Sequence, residues 1–231
     1  MTKAFLLLWA VYTLYSLVRN LSGSEKGGLP AQLLQTVLVL IALRYTWVSG
    51  ALSRGLWSPP DIAAGIVLGH VAFAVSLMIT HQHLGDVVRH ALNLRGLAGF
   101  VRRTPEICVR YLGVAAVEEL VYRAGAQEML MGMPGGAPAA IGVTALCFCV
   151  LHHHFLKNGL VSAFEFVLFT LVIGVMYYYT ASLALVILVH WVRNVESAYL
   201  DFCAVLEDTP DEEEALRVMS TRHALTVLES P

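Results

Sequence analysis

Apolar runs of about 15–20 residues, each closed by a short polar break, recur along nearly the whole chain, and that pattern predicts a stack of membrane-crossing helices. Ala4 to Val18 is the first, set between Lys3 and Arg19 and followed by a Ser/Gly/Lys/Glu linker. It is expected to be retained as a span, because no small-x-small cleavage site follows it. Leu29-Pro30 opens a second run that ends at Leu43, where Arg44, Tyr45 and Trp47 form an interfacial belt. Ser58-Pro59-Pro60-Asp61 breaks the chain and starts a third helix, Ile62 to Thr80, with His70 inside it as a hydrogen-bonded packing residue. From Asp86 to Arg103 the pattern changes. Val87, Ala91, Leu94, Ala98 and Val101 share one face with Arg89 and Arg103 opposite, which predicts a helix lying in the membrane surface.

Thr104-Pro105-Glu106 supplies a cap, a proline at the first helical position and an early acid, so a fourth span begins there; Met133 to Pro138 ends it. The fifth is expected from Ala139 to about Phe155, the sixth from Leu160 to Tyr179 and the seventh from Ser182 to Leu200. After Asp201 the chain turns polar, and its acidic clusters fit a solvated segment or a short helix. The expected organisation is thus all-α. Residues 1–103 hold the first spans and the interfacial helix, 104–200 a helix bundle with the chemistry, and 201–231 an acidic tail.

Composition agrees with this reading. Of 231 residues 57% are hydrophobic and 14% charged, and the mean hydropathy is +0.67, so about seven spans with short loops use up the length. The net charge of −2 says little about partners; the lipid bilayer is the expected surrounding, and no nucleic-acid partner is expected. The four cysteines lack CxxC spacing and read as small apolar residues, without a disulfide framework. Lys and Arg concentrate on the side that holds Arg19, Arg89 to Arg110, Lys157 and Arg193, which puts that side and the C-terminus in the cytoplasm.

The fourth run departs most from the apolar pattern, because Glu118, Glu119 and Arg123 lie inside it. A charge at bilayer depth costs about 2.5–3.5 kcal/mol on insertion scales and usually marks a function. Glu119 and Arg123 stand one helical turn apart and can neutralise each other, while Glu118 points about 100° away and needs another partner or a chemical role. His152, His190 and Asn194 lie at similar depth in later runs, with His190 and Asn194 one turn apart and Phe148 one turn before His152.

The ordered set Glu118-Glu119-x-x-x-Arg123, Phe148-x-x-x-His152, then Gly174 with Thr180-Ala-Ser-Leu183 and His190-x-x-x-Asn194 resembles the CPBP family of intramembrane endopeptidases, which includes CAAX prenyl proteases and bacteriocin-processing proteins. The resemblance covers Thr104 to Leu200. It departs locally at Ala181, where many relatives have glycine, and in the run His152 to His154. The resemblance implies that Glu118 and His152 activate a water, that His190 and Asn194 donate hydrogen bonds to the oxyanion, and that Glu119 with Arg123 is structural support. No metal is expected; the alternative is a zinc held by Glu118, His152 and His190.

The implied substrate is a membrane-anchored protein or peptide cut near one terminus, such as a CAAX-like tail or the C-terminal sorting segment handled by a myxosortase-like branch. The implied location is a prokaryotic inner membrane. Two other readings compete: a non-catalytic member of the same fold, such as an immunity or scaffolding protein, and a proton-coupled carrier using Glu118, Glu165 and the histidines. The carrier reading lacks an internal repeat.

Overall fold

A computed structural model describes residues 2–22, 29–54, 58–81, 83–152, 158–209 and 211–229, and the described residues form helices and the turns between them, with no strand. Five helices are long and apolar enough to cross a membrane: α1 (Thr2–Leu21), α2 (Leu29–Val48), α3 (Pro59–His81), α9 (Leu160–Thr180) and α10 (Leu183–Asp208). This is an integral membrane helix bundle.

The other two expected spans differ from the simple pattern. The fourth is a composite rod of α6 (Pro105–Glu119), a π-helical segment (Leu120–Gln127) and a last short turn, α7 (Glu128–Met131). All eight residues of the π segment are buried. Its small residues let neighbours approach: a Cβ on Gly125 would lie 3.0 Å from the Phe5 ring of α1 and 3.4 Å from Ala42 of α2. The fifth, α8 (Gly136–Leu151), has 16 residues, a rise of about 24 Å against a hydrocarbon core of about 30 Å. It therefore stops short of a full crossing. His152 is its C-terminal cap in extended conformation rather than a residue within the span, and Phe155 lies outside the described residues.

α10 is the central helix, with most of its side chains buried. α3 crosses it closely because Gly65 and Gly69 present no side chain. A Cβ at Gly65 would come within 2.7 Å of Leu188 Cβ, and one at Gly69 within 2.7 Å of Val192 Cβ. This small-xxx-small seam lets the backbones meet where no hydrophobic drive separates helix from lipid. A polar pair ties the seam, His70 Nδ1 lying 2.8 Å from Glu196 Oε1, and the Arg193 guanidinium joins α10 to α9 by donating to both Glu165 oxygens at 2.9 Å. Ser76 also donates to Glu165.

The main core joins α1, α2, the π segment, α8, α9 and α10 around residues such as Phe5, Leu38, Phe148, Ile173 and Val186. A second, smaller core gathers Phe100, Ile107, Tyr199, Phe202, Ala215 and Met219 at one end. Two expectations change there. The surface helix is two helices, α4 (Leu84–Leu92) and α5 (Leu94–Arg103), divided at Asn93, whose side chain accepts from Gly96 N and donates to the Tyr199 hydroxyl. The acidic tail is a helix, α11 (Glu212–Glu229), docked through Ala215 and Met219 and by an Arg103–Glu212 ion pair at 2.5 Å. All four cysteines are free.

Candidate active site

Glu118 and Glu119 end α6 where the backbone changes to π geometry, a local rearrangement often found at functional sites. The two carboxylates have different surroundings. Glu119 is 1% exposed and accepts from Arg123 Nε at 3.1 Å and from His190 Nδ1 at 2.7 Å. Arg123 is equally buried and donates further to Thr144 Oγ1 at 3.4 Å and to the Thr170 carbonyl at 3.3 Å. Glu118 is 23% exposed, with Oε2 3.6 Å from His190 Nε2 and Oε1 3.9 Å from His152 Nε2. Both separations exceed a hydrogen bond and are of a length that one water can bridge.

The orientation of His152 follows from the end of α8. In a continuing helix the Phe148 carbonyl would accept from the His152 backbone N–H. Here that N–H donates instead to Cys149 O at 3.1 Å, and the Phe148 carbonyl accepts from His152 Nδ1 at 2.9 Å. A carbonyl only accepts, so Nδ1 carries the proton and the neutral ring turns a lone pair at Nε2 toward Glu118. Phe148 also packs on this ring, 4.6 Å between centres, and edge-on to His190 at 6.0 Å. The end of α8 is closed from α1, where Asn20 Nδ2 donates to the Val150 and Leu151 carbonyls at 3.0 Å each.

The same bookkeeping applies to His190. The Glu119 carboxylate accepts from Nδ1–H, so the neutral ring offers a lone pair at Nε2, and only the doubly protonated ring donates there. Asn194, one turn further along α10, is half-buried and lines a pocket of about 370 Å³ with Tyr111, Ser162, Glu165, Arg193 and Asp201. Glu118, His152 and His190 thus come together; Asn194 borders the adjoining pocket and makes no hydrogen bond to that trio among the described residues. His153 and His154 lie outside the described residues.

Among the described residues no group of three or more His, Cys, Asp or Glu side chains is arranged to hold a metal ion. Sequence reasoning missed the contribution of α1, whose Trp9 packs edge-on against Tyr122 of the π segment and whose Asn20 closes the end of α8. The spacing of Trp9, Tyr12, Thr13, Ser16 and Arg19 along one helical face was the available signal. Gly174 has a packing role: its carbonyl accepts from Gln127 Nε2 at 2.8 Å, and a Cβ there would sit 3.0 Å from Ile141.

Residues 101–195 match a family model described as Type II CAAX prenyl endopeptidase Rce1-like. No curated protein and no solved structure matches the chain.

Proposed function

Over residues 101–195 this chain is a member of the Type II CAAX prenyl endopeptidase Rce1-like family, a protease family, and we propose that it is an intramembrane endopeptidase that hydrolyses a peptide bond near the terminus of a membrane-anchored protein. The observation that carries the reading is the placement of Glu118 between two imidazoles, 3.9 Å from His152 Nε2 and 3.6 Å from His190 Nε2.

A water bonded to Glu118 and His152 attacks the peptide carbonyl carbon, and Glu118 takes its proton. The carbonyl oxygen becomes an oxyanion, stabilised by the Asn194 amide and by His190 in its doubly protonated form, with fixed donors of this kind worth roughly 3–4 kcal/mol each. The C–N bond then breaks as the proton held by Glu118 passes to the leaving nitrogen, and the second proton of the water passes by way of Glu118 or His152 Nε2 to the amine, giving a carboxylate and an ammonium group. Glu119 acts through His190, holding its ring by Nδ1, and Arg123 neutralises Glu119 in turn. This is the glutamate-type mechanism, in which every step uses side chains of this chain. Short loops between the helices support a prokaryotic cytoplasmic membrane as its location, which favours a C-terminal sorting segment over a genuine CAAX tail as its substrate.

The test compares cells lacking the protein with cells restored by the wild type, Glu118→Ala or His152→Ala, reading the terminal masses of membrane proteins. A terminal truncation restored by wild type and by neither variant is expected. Full restoration by Glu118→Ala at equal protein level overturns the catalytic reading and leaves a non-catalytic member of the family.

A further inference from the structure

α3 reaches one end of the bundle at His81, α6 starts back from it at Pro105, and α4 and α5 lie across that end between them. One side of the pair is fixed to the protein. Val87 packs with Phe73 and Leu77 of α3, Phe100 packs with Ile107, Tyr199 and Phe202, and Asn93 at the joint donates to the Tyr199 hydroxyl at 2.9 Å. The other side faces outward. Leu84, Val88 and Leu92 recur one turn apart, about 100° round the helix from Val87. All three are exposed, as is Leu94, and Leu92 reaches 73%.

Arginines border this apolar ridge. Arg89 follows Val88 on α4, its side chain 83% exposed. Arg95 and Arg102, two turns apart, share one face of α5 next to Leu94 and Ala98, and both are exposed. Residues 84–103 hold four arginines and one acid, Asp86. Arg103 is engaged by Glu212 of α11 at 2.5 Å and donates to the Gly99 carbonyl at 3.3 Å. Arg89 has Asp86 at 3.5 Å, a contact worth little between two side chains so open to water. Arg95 and Arg102 make no ion pair and no hydrogen bond among the described residues. Positive charge is therefore in excess along an outward apolar ridge, at the end of the bundle where α3 finishes its crossing.

We propose that the outer side of α4 and α5 binds anionic phospholipid, with Leu84, Val88, Leu92 and Leu94 set among acyl chains and Arg89, Arg95 and Arg102 on headgroup phosphates. The apolar ridge alone would suit any lipid; the arginines discriminate. A guanidinium forks onto two phosphate oxygens, and phosphatidylcholine offers its phosphate only with a choline cation beside it. The long arginine stems lie along the acyl boundary while their heads reach the phosphates. Each such arginine contributes about fivefold in affinity, the equivalent of about 1 kcal/mol. Thr104 alone separates α5 from α6, so lipid bound here holds the point at which the rod carrying Glu118 enters the bilayer. Nothing in this site depends on peptidase activity.

The experiment equilibrates the full-length protein in detergent micelles with equimolar phosphatidylglycerol and phosphatidylcholine, and reads the lipid it retains by native mass spectrometry. Phosphatidylglycerol should be enriched at least about fivefold over phosphatidylcholine. Arg89→Gln/Arg95→Gln/Arg102→Gln should bring the ratio down to that of the micelle, while the same three positions changed to Lys should keep most of the enrichment, because the charge remains. Arg44, exposed near the end of α2 at the opposite end of the bundle, is the control, and Arg44→Gln should leave the ratio unchanged. Equal retention of the two lipids by the wild type overturns the proposal, as does an enrichment that survives the triple Gln variant. An equal fall on Arg44→Gln reduces the effect to overall charge and overturns it too. If the triple Gln variant does not fold, Arg95→Gln and Arg102→Gln singly decide: each should lower the enrichment, and no change in either overturns the site. Inorganic phosphate should displace no more phosphatidylglycerol than chloride at the same ionic strength. Greater displacement by phosphate assigns the arginines to a soluble anion and overturns the lipid site.

Discussion

Replacing Glu119 with Gln removes one negative charge from a site where both partners are 1% exposed. Arg123 is then left with a hydroxyl at 3.4 Å and a carbonyl at 3.3 Å as its remaining acceptors, neither of them charged. Breaking a buried pair from one side costs about 3–5 kcal/mol, because the surviving charge has lost both water and its partner. Gln retains one carbonyl oxygen for Arg123 or His190, so the lower end, about 3 kcal/mol, is expected. Glu118→Gln offers the comparison. Its carboxylate is 23% exposed and its two imidazole contacts are longer than hydrogen bonds, so a loss within about 1 kcal/mol follows. The assay is equilibrium unfolding in mixed micelles titrated with denaturing detergent, followed by tryptophan fluorescence. The double variant Glu119→Gln/Arg123→Gln removes both charges and should lose less than the two single losses added, with a coupling of about 2 kcal/mol or more. Equal losses for Glu118→Gln and Glu119→Gln, or additive losses in the double variant, would refute the assignment of Glu119 and Arg123 as one buried pair.

Ala181 has φ +50° at the end of α9, a backbone region in which a Cβ is strained, so Ala181→Gly should raise stability by about 1 kcal/mol in the same unfolding assay. Gly69→Val places a Cβ 2.7 Å from Val192 Cβ and 3.0 Å from the Val189 carbonyl, and the forced parting of α3 and α10 should cost about 1–3 kcal/mol with loss of folded yield. On an identified substrate, His190→Gln should retain measurable turnover, since the amide offers N–H groups, while His190→Ala falls by about 100-fold or more. Activity should survive chelation of divalent metals; stoichiometric bound zinc, with activity lost to a chelator and regained on adding zinc, would replace the glutamate-type mechanism and keep the peptidase.

Long apolar runs made the bundle legible, because a run bounded by Pro, Gly and charged residues leaves helix as the one local choice in lipid. The departures came from contacts that no window of sequence contains. The end of α8 is invisible locally, since the apolar run continues past His152 in Phe155 and Leu156. What closes it is Asn20, 131 positions away from Leu151. The break at Asn93 was concealed by an amphipathic face that reads continuously across it; the side chain that caps α5 also reaches Tyr199. Gly65-x-x-x-Gly69 was legible in principle and overlooked because nothing in α3 named its partner. At the site, residue types and the motif spacing singled out Glu118, His152 and His190. The bond from Glu119 to His190 spans 71 positions, and the polar face of α1 was masked by the hydropathy of the helix that carries it.

The different duties proposed for two adjacent glutamates require that something separate them, and three local features do so. The helical step turns their side chains about 100° apart. Arg123 and His190 then each bond one oxygen of Glu119, which fixes that carboxylate and leaves Glu118 as the acid whose oxygens, among the described residues, face contacts too long for direct hydrogen bonds. The early stop of α8 supplies the third. If the helix continued, the Phe148 carbonyl would take the His152 backbone N–H, and the ring would lose the bond that sets its tautomer. Ending the helix at Leu151 frees that carbonyl for Nδ1 and aims the Nε2 lone pair at Glu118. The stop in turn leaves carbonyls to be satisfied at bilayer depth, a demand met by Asn20 from α1. The N-terminal helix, outside the matched family segment, is in this way coupled to the orientation of the imidazole beside Glu118.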